Sequence, residues 1–332
     1  GMGIYGIRSA VIGADAPPNA IFRHATLHNA AGDPVEVPRA VTIYERDGGV
    51  LWRHAEESRR SRQLVLAFYS TIDNYDFVFN WIFSQDGAID VEVQLTGIIN
   101  TGYTETQTDS TAWRSERRQF RTLVAPGVTG PIHQHFFSYR LDFDVDGAGG
   151  NAVVEVNNEP VPVGRKNKDG HWFAVHERAL PTELAAKRMV NVARSRWWKV
   201  VNTRSRNDLG QFTAYGLHPR GNAFSAAAAQ SASRQKGGFV NAHLWVTPYE
   251  KEEMYASGEY LHPGVLGQGL LQWTASDRSV QDEDVVLWYT LGVTHLPRPE
   301  DYPIMPVHTA GFRVMPFGFF ESNPAMDVPE PE

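Results

Sequence analysis

Two histidines separated by one residue are the first candidates for chemistry in this chain. His133 and His135 flank Gln134 and stand at the start of a segment, 136–145, that is rich in strand-forming residues. Because alternate residues of a β-strand point to the same face, both imidazoles can reach one ion. A His-x-His pair alone supports metal binding only weakly, since most histidines are surface or hydrogen-bonded groups. The pair predicts a metal site only if a third ligand joins it.

His295 is the candidate third ligand. It follows the apolar segment 285–293 and begins the run His295-Leu296-Pro297-Arg298, although a single histidine at a strand end is more often structural. The chain contains no cysteine, so any metal must be held by imidazole, carboxylate or carbonyl groups. Three imidazoles suit copper(II), nickel or zinc, and the ligand type does not choose among these metals.

Tyr75 lies in a second segment of interest, 71–76, between the apolar run 64–69 and the aromatic-rich run 77–83. Taken alone, a tyrosine in this setting is most often a packed core residue whose hydroxyl is hydrogen-bonded. The residues by themselves therefore indicate a candidate histidine metal site and a tyrosine of unassigned role.

The elements that must position these residues are predicted to be mainly strands. Segments that alternate or are rich in β-branched and aromatic residues are 40–44, 63–70, 89–96, 98–103, 136–145, 152–156, 197–202 and 284–290. Turn residues are found at 46–49, 85–87, 146–147 and 167–170. The best helical candidate is 184–193, and the small-residue-rich segment 222–238 is predicted to be a surface loop. This pattern favours a mainly antiparallel β fold.

Composition excludes several classes of protein. The chain of 332 residues is long enough to bury a core, but its length does not decide between one domain and two. A formal net charge of -7, with 31 Lys and Arg spread along the chain, argues against a nucleic-acid partner. No apolar run approaches the roughly 18 residues of a membrane span. The compartment stays open, since both cytoplasm and periplasm are compatible with a soluble chain.

Taken together, the motifs resemble those of the copper-containing quinone amine oxidases, the family of tyramine and primary-amine oxidases. The family's cofactor motif is Thr-x-x-Asn-Tyr followed by Asp or Glu, and every fixed position is matched by Thr71, Asn74, Tyr75 and Asp76. The His-x-His pair and the Thr-His-x-Pro-Arg segment around residue 295 follow in the family's order and spacing. The end of the chain, 300–328, also resembles the family's carboxy-terminal signature.

The resemblance implies a fold, a cofactor and a reaction. It implies a large antiparallel β-sandwich, or supersandwich, with residues 1–332 as a single catalytic domain. It implies a topaquinone cofactor (TPQ) made from Tyr75 with dioxygen, and its ring would be restrained by Asn74 and Asp76. A primary amine would be oxidised by dioxygen to an aldehyde, with release of ammonia and hydrogen peroxide. The implied copper(II) ligands are His133, His135 and His295.

A second, calcium-type metal site is also implied by the resemblance. Its ligands would be the side chains of Asp142, Asp144 and Asp284 and the carbonyls of Phe143 and Val285. Carboxylate and carbonyl oxygens are what a hard cation prefers. The alternative is that these acidic residues are solvated at strand ends without an ion.

One departure from the family concerns the general base. The family's catalytic Asp lies further upstream of the cofactor tyrosine than this chain extends, and Asp15 matches a different, non-catalytic position. The family's small amino-terminal domains also have no counterpart, so we expect the chain to be a shortened form of the family. Without a positioned base, turnover is expected to fall by roughly 10²–10⁴-fold.

The resemblance implies a homodimer with exchanged hairpin arms, for which the region 174–220 is the candidate. Two other hypotheses stay open. In one, the chain is a non-catalytic copper-binding β-sandwich derived from the amine oxidase fold. In the other, another polypeptide supplies the missing Asp in trans. The sequence does not specify which amine is the substrate.

Overall fold

Strands dominate the computed structural model, which describes residues 6–29, 31–105, 119–259 and 265–330. In chain order the strands are β1 (Ile7–Arg8), β2 (Ile21–His28), β3 (Pro34–His54), β4 (Glu57–Ile72), β5 (Tyr75–Ser84), β6 (Ile89–Gly97), β7 (Gly102–Tyr103), β8 (Arg121–Ala125), β9 (Val128–Pro131), β10 (His133–Phe143), β11 (Asn151–Pro160), β12 (Phe173–Ala179), β13 (Trp197–Arg206), β14 (Phe212–Pro219), β15 (Leu244–Pro248), β16 (Gln281–Glu283), β17 (Val285–His295) and β18 (Met305–Phe317). Short helices α1 (Ala232–Lys236) and α2 (Leu270–Trp273) and the 3-10 turns Val192–Arg194, Gly238–Asn241, Thr274–Ser276 and Pro299–Asp301 complete the described elements.

The described strands form three sheets. The largest has twelve strands, with the order β12-β11-β13-β14-β18-β6-β5-β4-β3-β2, and with β1 on β4 and β16 on β11. The second has the order β10-β17-β15 and the third the order β7-β9-β8. The pairings between these strands are antiparallel. The prediction of a mainly antiparallel β fold is therefore confirmed.

The main core lies between the large sheet and the second sheet. Tyr139 of β10 packs edge-on against Trp81 of β5 and against Phe312 of β18. Tyr289 of β17 packs against the same Phe312 and against Trp198 of β13. Burial of such large rings is strongly stabilising and restricts their orientation. This aromatic core gives β10 and β17, which carry the three candidate histidines, a fixed place in the sandwich.

Three local predictions are wrong. The segment 98–103 is strand only at Gly102–Tyr103, because the chain leaves the large sheet after Gly97, whose φ is +100°. The predicted turn 46–49 lies inside β3, where Gly49 takes up a register shift in a long hairpin with β4. The segment 184–193 contains turns and the start of the 3-10 turn Val192–Arg194 instead of an α-helix.

The predicted surface loop 222–238 is mostly irregular, but it contains α1 and the first residue of a 3-10 turn near its end. The candidate arm region 174–220 divides into two parts. All seven residues of β12, at the edge of the large sheet, are exposed. By contrast, β13 and β14 are internal strands of that sheet, and about half of their residues are buried. None of the described helices is long and apolar enough to cross a membrane.

Candidate metal centre and its tyrosine

Tyr75 is the first residue of β5, directly after the tight turn that joins β4 to β5. Its side chain is buried, and its hydroxyl oxygen accepts a hydrogen bond from the backbone N–H of Asn100 at 3.3 Å. Burial raises the pKa of the Tyr75 phenol, although the hydrogen bond from Asn100 opposes this effect. The Tyr75 side chain is therefore a neutral phenol with a fixed position in the core.

The three candidate histidines are brought together by one strand pair. β10 and β17 are antiparallel, and their register places His133 directly opposite His295. The ring centroids of His133 and His295 are 5.0 Å apart, and those of His133 and His135 are 4.7 Å apart. The Tyr75 ring lies 5.4 Å from the His133 ring and 5.1 Å from the His135 ring. The predicted metal residues and the predicted cofactor residue thus share one site.

Hydrogen bonds indicate which nitrogens are free to bind an ion. The Nδ1 atom of His133 lies 2.9 Å from the carbonyl oxygen of Pro131, which can only accept, so Nδ1 carries the proton. The Nε2 atom of His133 then faces Nε2 of His135 at 3.0 Å. The Nδ1 atom of His295 is buried and has no hydrogen-bond partner among the described residues. Nδ1 of His295 is therefore the nitrogen without a hydrogen bond. Nε2 of His135 donates to Nε2 of His133, so its proton must move to Nδ1 before it can bind an ion.

The distances between ligand atoms test a metal site more strictly than the distances between ring centroids. Within the described residues, a set of three candidate ligand atoms that all lie within 4.8 Å of one another is found only at Asp142, Asp144 and Asp284. The nitrogens of the three histidines are therefore not all within 4.8 Å of one another. Ligands about 2 Å from one ion are at most about 4 Å apart. The side chains must therefore move before all three imidazoles can bind one ion. The donor set and the buried, unpartnered nitrogen of His295 fit such an ion.

The electrostatics of the site favour neutral imidazoles. Burial, together with the neighbouring His133 and His295, lowers the pKa of His135 to about 4. Burial also lowers the pKa of His133. A histidine must be neutral to act as a metal ligand, so these two imidazoles need not lose a proton at neutral pH before they bind.

Asn74 and Asp76 flank the tyrosine and fix the backbone around it. The Thr71 hydroxyl donates to Asp76 Oδ1 at 2.6 Å, across the first residues of the hairpin. The Asn74 carbonyl accepts from the backbone N–H of Ile98 at 2.7 Å. These bonds secure the hairpin on both sides of Tyr75.

Two residues that sequence reasoning missed also contribute to the site. Asn100 supplies a backbone N–H, a group that no residue pattern reveals. Asp301 is almost fully buried and lies 3.1 Å from Nε2 of His295. Burial opposes ionisation, but hydrogen bonds from Arg298 outweigh it and lower the pKa of Asp301 to about 2. The signal for Asp301 was its place in the segment that follows His295.

A cavity of about 770 Å³ opens beside the tyrosine and the histidines. Most of the side chains around it are aromatic or apolar, including Phe68, Phe79, Trp81 and Met254. Among the described residues that line the cavity, only Asp73 carries a carboxylate, and Asp73 is exposed. The volume is in the range of small-molecule sites.

The three carboxylates of the second predicted metal site, those of Asp142, Asp144 and Asp284, lie close together. In the β10–β17 ladder Phe143 pairs directly with Val285, which brings together the strand ends that carry the three acidic residues. The Oδ1 atom of Asp284 is buried and has no hydrogen-bond partner among the described residues. Burial raises the pKa of Asp284, and the charges of Asp142 and Asp144 raise it further. A bound cation would offset this repulsion.

Comparisons with known proteins agree with this geometry. The family model "Copper amine oxidase, enzyme domain" matches residues 1–332. Histamine oxidase of Arthrobacter globiformis is 38% identical over 326 residues, which is 96% of this chain and 46% of that protein. Diamine oxidase [copper-containing] 1, peroxisomal, of Nicotiana tabacum is 39% identical over 317 residues, covering 92% and 39%.

Solved structures give the same result. The copper-containing benzylamine oxidase from Hansenula polymorpha aligns with a TM-score of 0.88 at 29% identity, covering 98% of this chain and 51% of that one. This chain spans about half the length, or less, of the relatives it matches. Because the family model matches the whole chain and several relatives exceed 30% identity, the chain belongs to the copper amine oxidase enzyme-domain family.

Proposed function

We propose that residues 1–332 form a single catalytic domain that oxidises primary amines with copper and topaquinone. The observation that carries this proposal is the position of the Tyr75 ring, 5.1 Å and 5.4 Å from the rings of His135 and His133. When bound, copper(II) supplies the redox chemistry that converts Tyr75 to topaquinone with dioxygen, and the quinone takes up the electrons of the amine. The products are an aldehyde, ammonia and hydrogen peroxide.

The chain's own residues hold and shield the reacting ring. The hairpin that carries Tyr75 is secured on both sides by hydrogen bonds, and Asn100 fixes the position of the phenol oxygen. The aromatic cavity beside the ring offers apolar contacts to the carbon substituent of an amine. These contacts favour amines with an apolar side chain, without selecting one among them.

The site has few groups that could act as the general base and abstract a proton from the amine's α-carbon. Asp73 is the one carboxylate among the described cavity-lining residues, and it is exposed to solvent. We therefore propose that residues 1–332 by themselves form the quinone but turn over amine slowly. The same observation favours a second candidate function, a copper-binding sandwich that does not oxidise amines.

Two further assignments support an assembled enzyme. We propose calcium as the ion at the acidic cluster, because its ligands are carboxylates with carbonyls nearby. We also propose a homodimer that uses the β11–β12 hairpin as its arm. The hairpin carries exposed apolar side chains at Val163, Trp172, Phe173 and Val175, which is a surface typical of protein interfaces.

Phenylhydrazine, which colours on reaction with a quinone, tests the proposal. The protein is loaded with copper in air, treated with the reagent and compared with Tyr75→Phe. The control is Tyr103→Phe, which changes an exposed tyrosine. We expect colour in the wild type and in Tyr103→Phe, and copper binding without colour in Tyr75→Phe. An uncoloured wild type with copper bound, or a coloured Tyr75→Phe variant, would refute the cofactor assignment. Peroxide release on adding amine then separates the oxidase from the copper-binding alternative.

A further inference from the structure

We infer that Arg140 couples the acidic cluster, formed by Asp142, Asp144 and Asp284, to the cavity beside the tyrosine. A divalent cation at the cluster makes the cavity more positive through Arg140, so it weakens the binding of a positively charged amine there. The inference deepens the proposed function and rests on it, because it takes the cavity as the amine site and the cluster as the calcium site.

Arg140 contacts both places. Its Nη1 atom donates to Oδ2 of Asp142 at 3.1 Å, and its side chain also lines the cavity. Among the described residues that line the cavity, Arg140 is the only arginine or lysine. The pKa values of His133 and His135 in the same lining are lowered, so both imidazoles are neutral near pH 7. The positive charge of the described cavity wall is therefore that of Arg140, and Asp142 offsets part of it.

The surroundings of Arg140 keep its guanidinium between the cluster and the cavity. Its Nε atom donates to the carbonyl oxygen of Glu253 at 3.3 Å, and the next four residues, 254–257, line the cavity. The guanidinium carbon lies 5.2 Å from the centroid of the Tyr249 ring, which is within the range of a cation–π contact. Tyr249 in turn donates its backbone N–H to the carbonyl oxygen of Asp284 at 2.8 Å. One arginine thus contacts the cavity wall and a residue bonded to the cluster.

A cation at the cluster and the guanidinium of Arg140 compete for the carboxylate of Asp142. When the cation binds this carboxylate, Asp142 offsets less of the charge of Arg140, and the cation also repels the guanidinium. Both effects raise the electrostatic potential in the cavity. The side chains of Arg140 and Asp142 are 23% and 35% exposed, so solvent screens their interaction. We therefore expect changes of about two- to fivefold in affinity, the range of a partly exposed ion pair.

Two simpler explanations of an effect of calcium predict different results. If calcium only stabilises the fold, it should change the affinity of every cavity ligand in the same direction. If the field of the ion reaches the cavity directly, the effect should not depend on Arg140. Coupling through Arg140 predicts opposite shifts for ligands of opposite charge, and it predicts that both shifts vanish when Arg140 loses its charge.

The experiment uses the copper-free protein, so that the amine is bound without being oxidised. Calorimetry measures the dissociation constants of benzylammonium and benzoate, which share an aromatic ring and differ in charge, with and without saturating calcium. We expect calcium to weaken the binding of benzylammonium about two- to fivefold and to strengthen that of benzoate by a similar factor. Benzylammonium should weaken calcium binding by the same factor, because coupling between two sites is reciprocal. Both shifts should shrink in 1 M salt, where the Debye length is about 3 Å.

Three variants identify the residue that carries the effect. Arg140→Gln keeps a polar side chain without the charge. It should bind calcium more tightly than the wild type, because the competitor for Asp142 is gone, and calcium should no longer shift the affinity of either ligand. Arg140→Lys restores the charge and should recover part of both shifts. The matched control is Arg53→Gln, which removes the charge of an exposed arginine on β3 and should behave like the wild type.

Several results would overturn the inference. They are shifts of the same sign for both ligands, no shift at all, or shifts that persist in a folded Arg140→Gln. A wild type whose Tm does not rise with calcium, or that binds neither ligand, overturns it as well. If Arg140→Gln does not fold, the signs of the wild-type shifts and their loss in 1 M salt decide the question. Opposite shifts in a protein that gives no phenylhydrazine colour with copper bound would refute the proposed oxidase and leave the coupling in place.

Discussion

Gly97 lies directly opposite Tyr75 in the β5–β6 ladder, with a φ of +100°. A Cβ at this position would lie 2.6 Å from the Asn74 carbonyl oxygen and 3.0 Å from the Tyr75 Cα. Both distances are well below van der Waals contact. The backbone at Tyr75 therefore packs so closely against residue 97 that only glycine fits at that position.

Gly97→Ala should displace Tyr75 from the histidines. The methyl group must push back the backbone at residues 74–76, and misplacement of a reacting group by about 1 Å can cost roughly 10²-fold in rate. We expect quinone formation, followed by phenylhydrazine, to slow by at least about tenfold. Gly210→Ala is the matched control, because Gly210 has a φ of +77° but no atom within 4 Å of its Cβ position. Equal rates in the two variants would contradict the role assigned to Gly97.

The sequence predicted one half of the histidine site on physical grounds. Alternation along a strand is enough to place His133 and His135 on one face, because the side-chain period of a strand is two residues. The meeting of His133 with His295 depends on the register of two strands far apart in the chain, and spacing does not encode that register. Only the resemblance to a family supplied it.

Other features of the structure could not have been predicted from any pattern of residues. The hydrogen bond to the Tyr75 hydroxyl comes from the backbone of Asn100, which any residue except proline could provide. The Gly-rich segment 46–49 looked like a hairpin turn, but the pairing of β3 with β4 continues through it, and Gly49 serves a bulge instead. Tertiary pairing decided the structure at both places.

His135→Ala should abolish tight copper binding. It removes one of three proposed ligands, which should cost more than the 10–100-fold that is usual for an outer-shell residue. Without copper, Tyr75 should remain an unmodified tyrosine. Copper stoichiometry after dialysis and the phenylhydrazine colour measure both effects. The control is His308→Ala, which changes an exposed histidine on β18. Normal colour in His135→Ala would remove His135 from the metal site.

Calcium should raise the thermal stability of the protein through the acidic cluster. A cation that binds only the folded state at 100 times its Kd stabilises that state by about 2.7 kcal/mol. Asp284→Asn should reduce this calcium-dependent increase in Tm, and it should also raise the Tm without calcium because it removes one of three repelling charges. Asp169→Asn, in an exposed loop, should respond to calcium like the wild type. An identical calcium response in Asp284→Asn would argue against the site.

The β11–β12 hairpin should be needed for dimer formation. Val175→Asp places a charge on the exposed apolar surface of β12, where a buried contact with a second copy would not tolerate it. We expect light scattering after gel filtration to show a monomer for this variant and a dimer for the wild type. Leu209→Asp, at an exposed turn between β13 and β14, is the matched control. A dimeric Val175→Asp variant would place the interface elsewhere.

Glu155 of β11, in the β11–β12 hairpin, should make the free energy of unfolding depend on pH. It is 1% exposed, and Arg188 donates to its two carboxylate oxygens at 2.6 and 2.8 Å. Burial would raise the pKa of Glu155, but hydrogen bonds from Arg188 and Asn157 outweigh it, so the folded-state pKa lies below the ordinary value of 4.5. The unfolded chain therefore takes up the proton first as the pH falls.

This contribution to the free energy of unfolding is complete above the unfolded pKa and is lost as the pH falls through the folded pKa. Glu155→Gln should lower the free energy of unfolding by about 3 kcal/mol near neutral pH, because it leaves the buried side of Arg188 without its countercharge. The difference between the variant and the wild type should shrink in acid, as urea unfolding at several pH values would show. Glu159→Gln, which breaks an exposed pair with Arg194, should change stability by less than about 1 kcal/mol. A difference for Glu155→Gln that stays constant with pH would mean that its effect comes from packing and not from charge.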